Sequence, residues 1–200
     1  MTAKVITITR EFGSGGRTIG RELARRLGYD FYDYELVRKL AEESGLAESY
    51  IAEHGEDATV SSSFAFAWSN WGNQASDDLY VAQRNLIRDL AEKGNCVIVG
   101  RCADYILQDR TDTFHAYIHA DLAYRMNRVV TLYGESDQAI EKRVQTKDKR
   151  RIALYTYYTD RKWGRAEYYD LCVNSGRLGI EASVDLLEQA VHCFNLEHKD

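Results

Sequence analysis

The chain has 200 residues, with 44% hydrophobic and 28% charged side chains, four cysteines, no proline and a net charge of −5. That length suits one α/β-sized domain with a core of its own, and the composition argues against global disorder. No apolar run approaches the length of a membrane span, the start is too polar for a signal peptide, and the acidic balance disfavours a general nucleic-acid binder.

Strands and helices are expected in alternation. Val5 to Thr9 is β-branched and short, hence a strand, and Arg10 to Arg17 is Gly-rich, hence a loop. Thr18 to Leu27 carries Ile19, Leu23, Ala24 and Leu27 on one stripe, and Gly28 is a natural helix stop. Tyr29 to Tyr34 reads as a short strand or extended connection, and Leu36 to Glu43 as a helix. The stretch from Ala47 to Gln74, with Phe64, Phe66, Trp68 and Trp71, gives no clear period. Ser76 is a candidate cap for a helix running to Lys93, with Gly94 as its stop. Cys96 to Val99 is an unbroken apolar run, the pattern of a strand buried on both faces. Ala103 to Gln108 is a short helix, Phe114 to His119 a strand, and Leu122 to Leu132 a helix capped by Asp121. Asp137 to Tyr158, with Ser136 as its cap, Leu171 to Asn174 and Ile180 to Cys193 complete a helix–strand–helix ending. Such alternation implies a parallel sheet covered on both faces.

The cysteines form no CxxC pair, and we read all four as reduced thiols in a cytoplasmic protein, Cys96 and Cys172 packing as small hydrophobes. His115 and His119 are spaced by four on a strand-like run without a third partner, so they do not make a metal site.

Charge is unevenly placed. Residues 40–83 hold eight acidic side chains and no Lys or Arg, whereas residues 141–165 hold nine basic and three acidic ones. A solvated helix accounts for such a run; so does a cationic face for a small anionic ligand. On a helix, Arg143, Lys147 and Arg151 share one side.

The informative segment is Arg10-Glu11-Phe12-Gly13-Ser14-Gly15-Gly16-Arg17-Thr18. It follows a strand and opens a helix, the context of a phosphate-binding loop: glycines let backbone N–H groups converge, and the helix dipole adds positive potential. Against G-x-x-x-x-G-K-[ST], Gly16 and Thr18 fit, Glu11 replaces the first Gly and Arg17 replaces the Lys. Glu11 is expected to face outward or to pair with Arg10 or Arg17.

This loop, Leu27-Gly28-Tyr29-Asp30-Phe31-Tyr32-Asp33, Val97-Ile98-Val99-Gly100-Arg101, Lys147-Asp148-Lys149-Arg150-Arg151 and Tyr169-Asp170-Leu171-Cys172-Val173-Asn174-Ser175 together resemble the cytidylate kinase-like P-loop proteins, relatives of the nucleoside monophosphate kinases. The resemblance implies a three-layer α/β/α P-loop kinase fold with a central parallel sheet, a helical acceptor-binding insert and a lid. It implies a single kinase-like domain over 1–200: core about 1–35, 76–135 and 165–200, insert about 36–75, lid about 136–164. Gly13, Ser14, Gly15, Gly16, Arg17 and Thr18 would hold ATP, Thr18 with Mg²⁺. Asp33, Arg38, Lys39, Arg101, Asp148 and Arg151 would face a small phosphorylated acceptor, and Arg17, Arg143 and Arg151 would serve the transfer itself. The activity so implied is ATP-dependent phosphorylation of CMP or dCMP. A non-catalytic nucleotide-binding protein and a kinase of another small metabolite stay open. Neither a nucleic acid polymer nor a membrane is an expected partner.

Overall fold

The computed structural model describes residues 3–33, 73–134, 136 and 138–197. The helix expected at Leu36 to Glu43, the aromatic segment 64–71, and Arg38 and Lys39 lie outside the described residues. Five parallel strands stand in the order β2-β3-β1-β4-β5: β1 Val5–Arg10, β2 Asp30–Tyr32, β3 Cys96–Val99, β4 Thr113–His119 and β5 Leu171–Asn174. Among the described residues the α-helices are α1 Gly16–Leu27, α2 Asn73–Lys93, α3 Ala103–Ile106, α4 Leu122–Tyr133, α5 Ile140–Thr159, α6 Ser175–Leu178 and α7 Ile180–Glu197.

The strand sequences explain the three layers. Side chains alternate across a strand. Ile6, Ile8, Val97 and Val99 therefore face α1 and α7, where Ile19, Leu23, Val184, Leu187 and Val191 meet them. Val5, Cys96 and Ile98 face the other way, against Ile87, Leu90 and Ala91 of α2, Ile106 of α3 and Tyr155 of α5. Every residue of β3 is buried, which is why its run lacks polar alternation.

Several helix starts differ from expectation. α2 begins at Asn73, so Ser76 lies inside it. Asp121 does precede α4, but its side chain makes no cap hydrogen bond. α5 starts at Ile140, behind Ala139, and Ser136 Oγ donates to Gln138 O at 3.2 Å instead. Short polar side chains bond nearby backbone in more than one way, so cap positions slip by a few residues. Among the cysteines, Cys96 and Cys102 are buried thiols, but Cys172 is exposed rather than packed. His115 turns Nδ1 to Thr7 Oγ1 at 2.7 Å, and among the described residues no His/Cys/Asp/Glu group suits a metal. Among those residues, no helix is long and apolar enough to cross a membrane.

α5 is tied to the core by a buried acid. Tyr155 Oη donates to Asp104 Oδ2 at 2.8 Å. Burial pushes the Asp104 carboxyl above its ordinary 3.8, with the Tyr155 bond acting the other way. The native state therefore holds this proton more tightly than the unfolded chain does, and stability falls as pH rises from the ordinary carboxylate range toward the raised value. Asp104→Asn keeps an acceptor for Tyr155 and cannot ionise. Thermal unfolding should show it gaining on the wild type as pH rises above the ordinary carboxylate range; a difference that does not change with pH would contradict the assignment.

Candidate phosphate-binding site

The parallel strands send their following loops to one edge of the sheet, with Glu11–Gly15 after β1, Asp33 after β2, Gly100–Cys102 after β3 and Ala120–Asp121 after β4. This is the edge at which open α/β sheets take ligands.

The loop after β1 is tightly built. Gly13 and Gly15 adopt φ of 83° and 89°, in the left-handed region. A Cβ on Gly13 would lie 2.7 Å from Arg125 O, and one on Gly16 would lie 2.5 Å from Arg10 Cβ. The fully buried Ser14 hydroxyl reaches Glu11 O at 2.9 Å and Ile118 O at 3.1 Å, while Ser175 Oγ holds Ser14 O. Gly15 occupies the N-cap of α1, so no side chain there competes for the first-turn amides. A helix start of this kind is a ready anion site.

Glu11 does not disturb it. Its carboxylate turns to the far side of the loop, accepting from Ala120 N at 3.0 Å and lying 3.4 Å from Arg125 Nε. The expected pairing with Arg10 or Arg17 is thus replaced by Arg125. Arg125 in turn binds Ala120 O at 2.9 Å, Phe12 O at 3.3 Å and the Asp148 carboxylate. Asp148, from α5, also accepts from Phe12 N at 2.8 Å. One buried network therefore fixes the outer wall of the loop and docks α5 on it.

The inner wall is cationic. Arg17 Nε lies 2.8 Å from Asp33 Oδ2, and Arg10 lies 3.6 Å from the same carboxylate. Arg151 donates to Arg10 O at 2.9 Å and stands over the Phe12 ring. Arg101 follows Gly100 with φ of 62°, and Gln83 Nε2 holds its carbonyl at 3.0 Å. Burial pushes Arg151 down to about 9 and Arg101 down to about 10, with Arg10 the next contributor to each. Arg10 is also lowered, by burial first, with Arg17 acting in the same direction and Asp33 against it. Guanidinium groups keep their protons at neutral pH, so the penalty is relieved by an anion rather than by deprotonation.

Of the sequence candidates, Arg17, Asp33, Arg101 and Arg151 come together here beside Gly13–Thr18. Asp148 faces Arg125 and the loop backbone. Arg143 stands apart, its Nη1 donating to Gly134 O at 3.0 Å. Burial and the neighbours Arg150, Arg151 and Arg143 lower the Lys147 ammonium. Thr18 Oγ1 accepts from Arg128 Nη2 at 2.9 Å. A lone hydroxyl suits Mg²⁺ that arrives with phosphate oxygens and water, not a metal held by protein alone. Arg10, Arg125 and Arg128 were missed as site residues. Arg125 had a signal: it stands one turn before the buried Val129, where an apolar stripe would put a hydrophobe.

A five-stranded parallel sheet in this order, with a glycine loop between β1 and α1, is the fold of the P-loop kinases. The cytidylate kinase-like family model matches residues 5–177, and the chain belongs to that family. It is 25% identical over 192 residues to a cytidylate kinase from Natronomonas pharaonis, covering 95% of this chain and 90% of that one. A crystal structure of an uncharacterized protein from Eubacterium ventriosum is 27% identical, with a TM-score of 0.73 over 94% of this chain and 98% of the other. A gluconokinase from Sinorhizobium meliloti, 13% identical with a TM-score of 0.58 over 98% and 97%, shares the fold.

Proposed function

We propose that this protein transfers the terminal phosphoryl group of ATP to a nucleoside monophosphate, with CMP and dCMP as the first acceptors to try. The observation that carries the reading is the gathering of Arg10, Arg17, Arg101 and Arg151 around Asp33, next to an anion-binding helix start. Phosphoryl transfer needs two phosphates held in line, their charge neutralised and water excluded, with little covalent help. Gly13 to Thr18 would hold the donor phosphates through backbone N–H groups. Arg17 would leave Asp33 for the donor, and Arg101 would hold the acceptor phosphate. Asp33, Arg38 and Lys39 complete the acceptor side in this reading, and Asp148 keeps the basic lid of residues 136–164 on the loop. Arg151 would meet charge that develops during transfer, and Arg143 would join when the lid closes. Bound Mg²⁺ supplies charge neutralisation on the donor phosphates, with Thr18 as its protein ligand.

A second reading has its own support. Arg17 is held by Asp33 and Thr18 by Arg128, a resting arrangement that a non-catalytic nucleotide-binding protein would also have. ADP release with Mg-ATP across a panel of monophosphates, gluconate and shikimate separates the two. We expect turnover with at least one monophosphate, and about 10²-fold or greater loss of kcat in Arg17→Ala. Folded protein that binds ATP and turns over none of the panel would favour the second reading.

A further inference from the structure

The turn that carries Arg101 has a strained backbone. Gly100, Arg101 and Cys102 take φ of 77°, 62° and 55°, three left-handed residues in a row. Glycine visits that region freely, but a side chain there brings its Cβ against the backbone. Such residues persist only where the surroundings hold them. Gly100 is fixed by sterics, because a Cβ there would fall 1.8 Å from Arg10 Nη1. Arg101 and Cys102 carry the strain.

The hydrogen bonds of the turn identify what holds it. Gly100 N donates to Ile8 O at 3.0 Å, and Gly100 O accepts from Ala103 N at 3.1 Å. Cys102 O accepts from Tyr105 N at 3.0 Å and from Ile106 N at 2.9 Å, opening α3. The carbonyl between them is held by a side chain from another element: Gln83 Nε2 of α2 donates to Arg101 O at 3.0 Å. Gln83 is only 2% exposed. It stands on the same side of α2 as Ile87, Leu90 and Ala91, which pack into the apolar core. A hydrophobe would fill that position without desolvating an amide, so what the amide contributes there is the carbonyl it meets.

Holding Arg101 O sets ψ of Arg101 and φ of Cys102, the two torsions between the Arg101 Cβ and the start of α3. A relaxed turn would re-aim the Arg101 guanidinium, which now neighbours Arg10 and Arg151 at the ligand edge of the sheet.

We propose that Gln83 is a positioning residue for Arg101: its buried amide holds the strained turn that keeps the Arg101 guanidinium aimed at a phosphate beside the glycine loop. The acceptor role of Arg101 rests on the proposed kinase function; the grip of Gln83 on the turn does not. Gln83 acts through the backbone of this turn, so its effect falls on the Arg101 side of the site and spares Gly13 to Thr18.

Gln83→Met nearly keeps the length of the side chain and loses the donor. A crystal structure of this variant should show Arg101 or Cys102 outside the left-handed region and the guanidinium moved, with Gly13 to Thr18 unchanged. Titration calorimetry with inorganic phosphate, at fixed ionic strength and without nucleotide, reads the consequence. Wild-type protein should bind phosphate, Arg101→Ala at least about tenfold more weakly and Gln83→Met at least about fivefold more weakly. The affinity of Gln83→Met for Mg-ATP should stay within about twofold of wild type, as it would not if the core had loosened generally. If Gln83→Met does not fold by circular dichroism, Gln83→Asn decides by the same outcomes, because its amide is one methylene short of Arg101 O. An unmoved turn, wild-type phosphate affinity in the Gln83 variant, or equal losses for phosphate and Mg-ATP would each overturn the proposal. So would a wild type that binds no phosphate, or binding indifferent to Arg101→Ala. The expected order in a protein that phosphorylates no monophosphate would leave the Gln83 role standing and remove the kinase reading. Turnover by wild type together with an unmoved turn in the variant would do the opposite.

Discussion

Asp148→Ala is expected to lower the unfolding free energy by about 3–5 kcal/mol, the cost of stripping one partner from a buried ion pair. The substitution leaves the Phe12 N–H without its acceptor and the Arg125 guanidinium with Glu11, 3.4 Å from Nε, as its remaining carboxylate. For a chain of this size, that corresponds to a fall in Tm of about 6–20 °C. The cause is a buried guanidinium left only partly compensated, by Glu11, and not the loss of attraction alone, so the double variant Arg125→Met/Asp148→Leu should recover part of the loss. Recovery should be incomplete, because Arg125 also holds Ala120 O and Phe12 O. Thermal unfolding of both variants at one pH and salt concentration checks this. A single variant within 1 kcal/mol of wild type, on the order of an exposed pair's worth, would mean that α5 is not docked through this network.

Arg151→Ala is expected to do the reverse: to spare stability and remove activity. Its guanidinium is part-buried among Arg10 and Arg101, and burial with Arg10 repulsion pushes it down to about 9. Removing it relieves burial of a cation and like-charge repulsion, against which stand one hydrogen bond to Arg10 O, the Phe12 ring contact and the attraction of Asp148 and Asp33. Unfolding measured without phosphate should therefore show a Tm equal to or above wild type. If the group meets charge that develops during transfer, kcat should fall about 10²–10³-fold while the KM for ATP stays nearly constant. Arg151→Lys, which keeps the charge without the fork, should recover only part of kcat. Parallel losses of stability and activity in Arg151→Ala would reduce Arg151 to a structural role.

The layers of this fold were legible because burial leaves a periodic record. β3 reads as an unbroken apolar run and α1 as a stripe ended by Gly28, and both stand where the pattern puts them. Cap positions were less legible: Ser76, Asp121 and Ser136 all look like caps, yet Ser76 lies inside its helix, Asp121 makes no cap hydrogen bond and the helix after Ser136 starts behind Ala139. The glycine loop was legible as a motif, and Arg101, Arg151 and Asp33 were singled out through the resemblance; the structure brings them together beside that loop. The partners of the loop were not. Glu11 reads as a defect in the motif, and only the tertiary structure reveals that it turns to Ala120 and Arg125. Arg10 reads as a residue before the motif, because its packing depends on Gly16 and Gly100, which are distant from one another in sequence. Ion pairs across such separations have no local period to betray them.

In the proposed function, Gly13 to Thr18 and the adjoining arginines collect the phosphates of a nucleotide. The most direct measurement is a Mg-ATP titration followed by backbone amide NMR, with adenosine as a control lacking phosphate. Saturable shifts are expected at the amides of Gly13, Gly15, Gly16, Arg17 and Thr18, and none of comparable size with adenosine. Amides in this loop that stay unmoved at saturating Mg-ATP, or that move equally with adenosine, would contradict it.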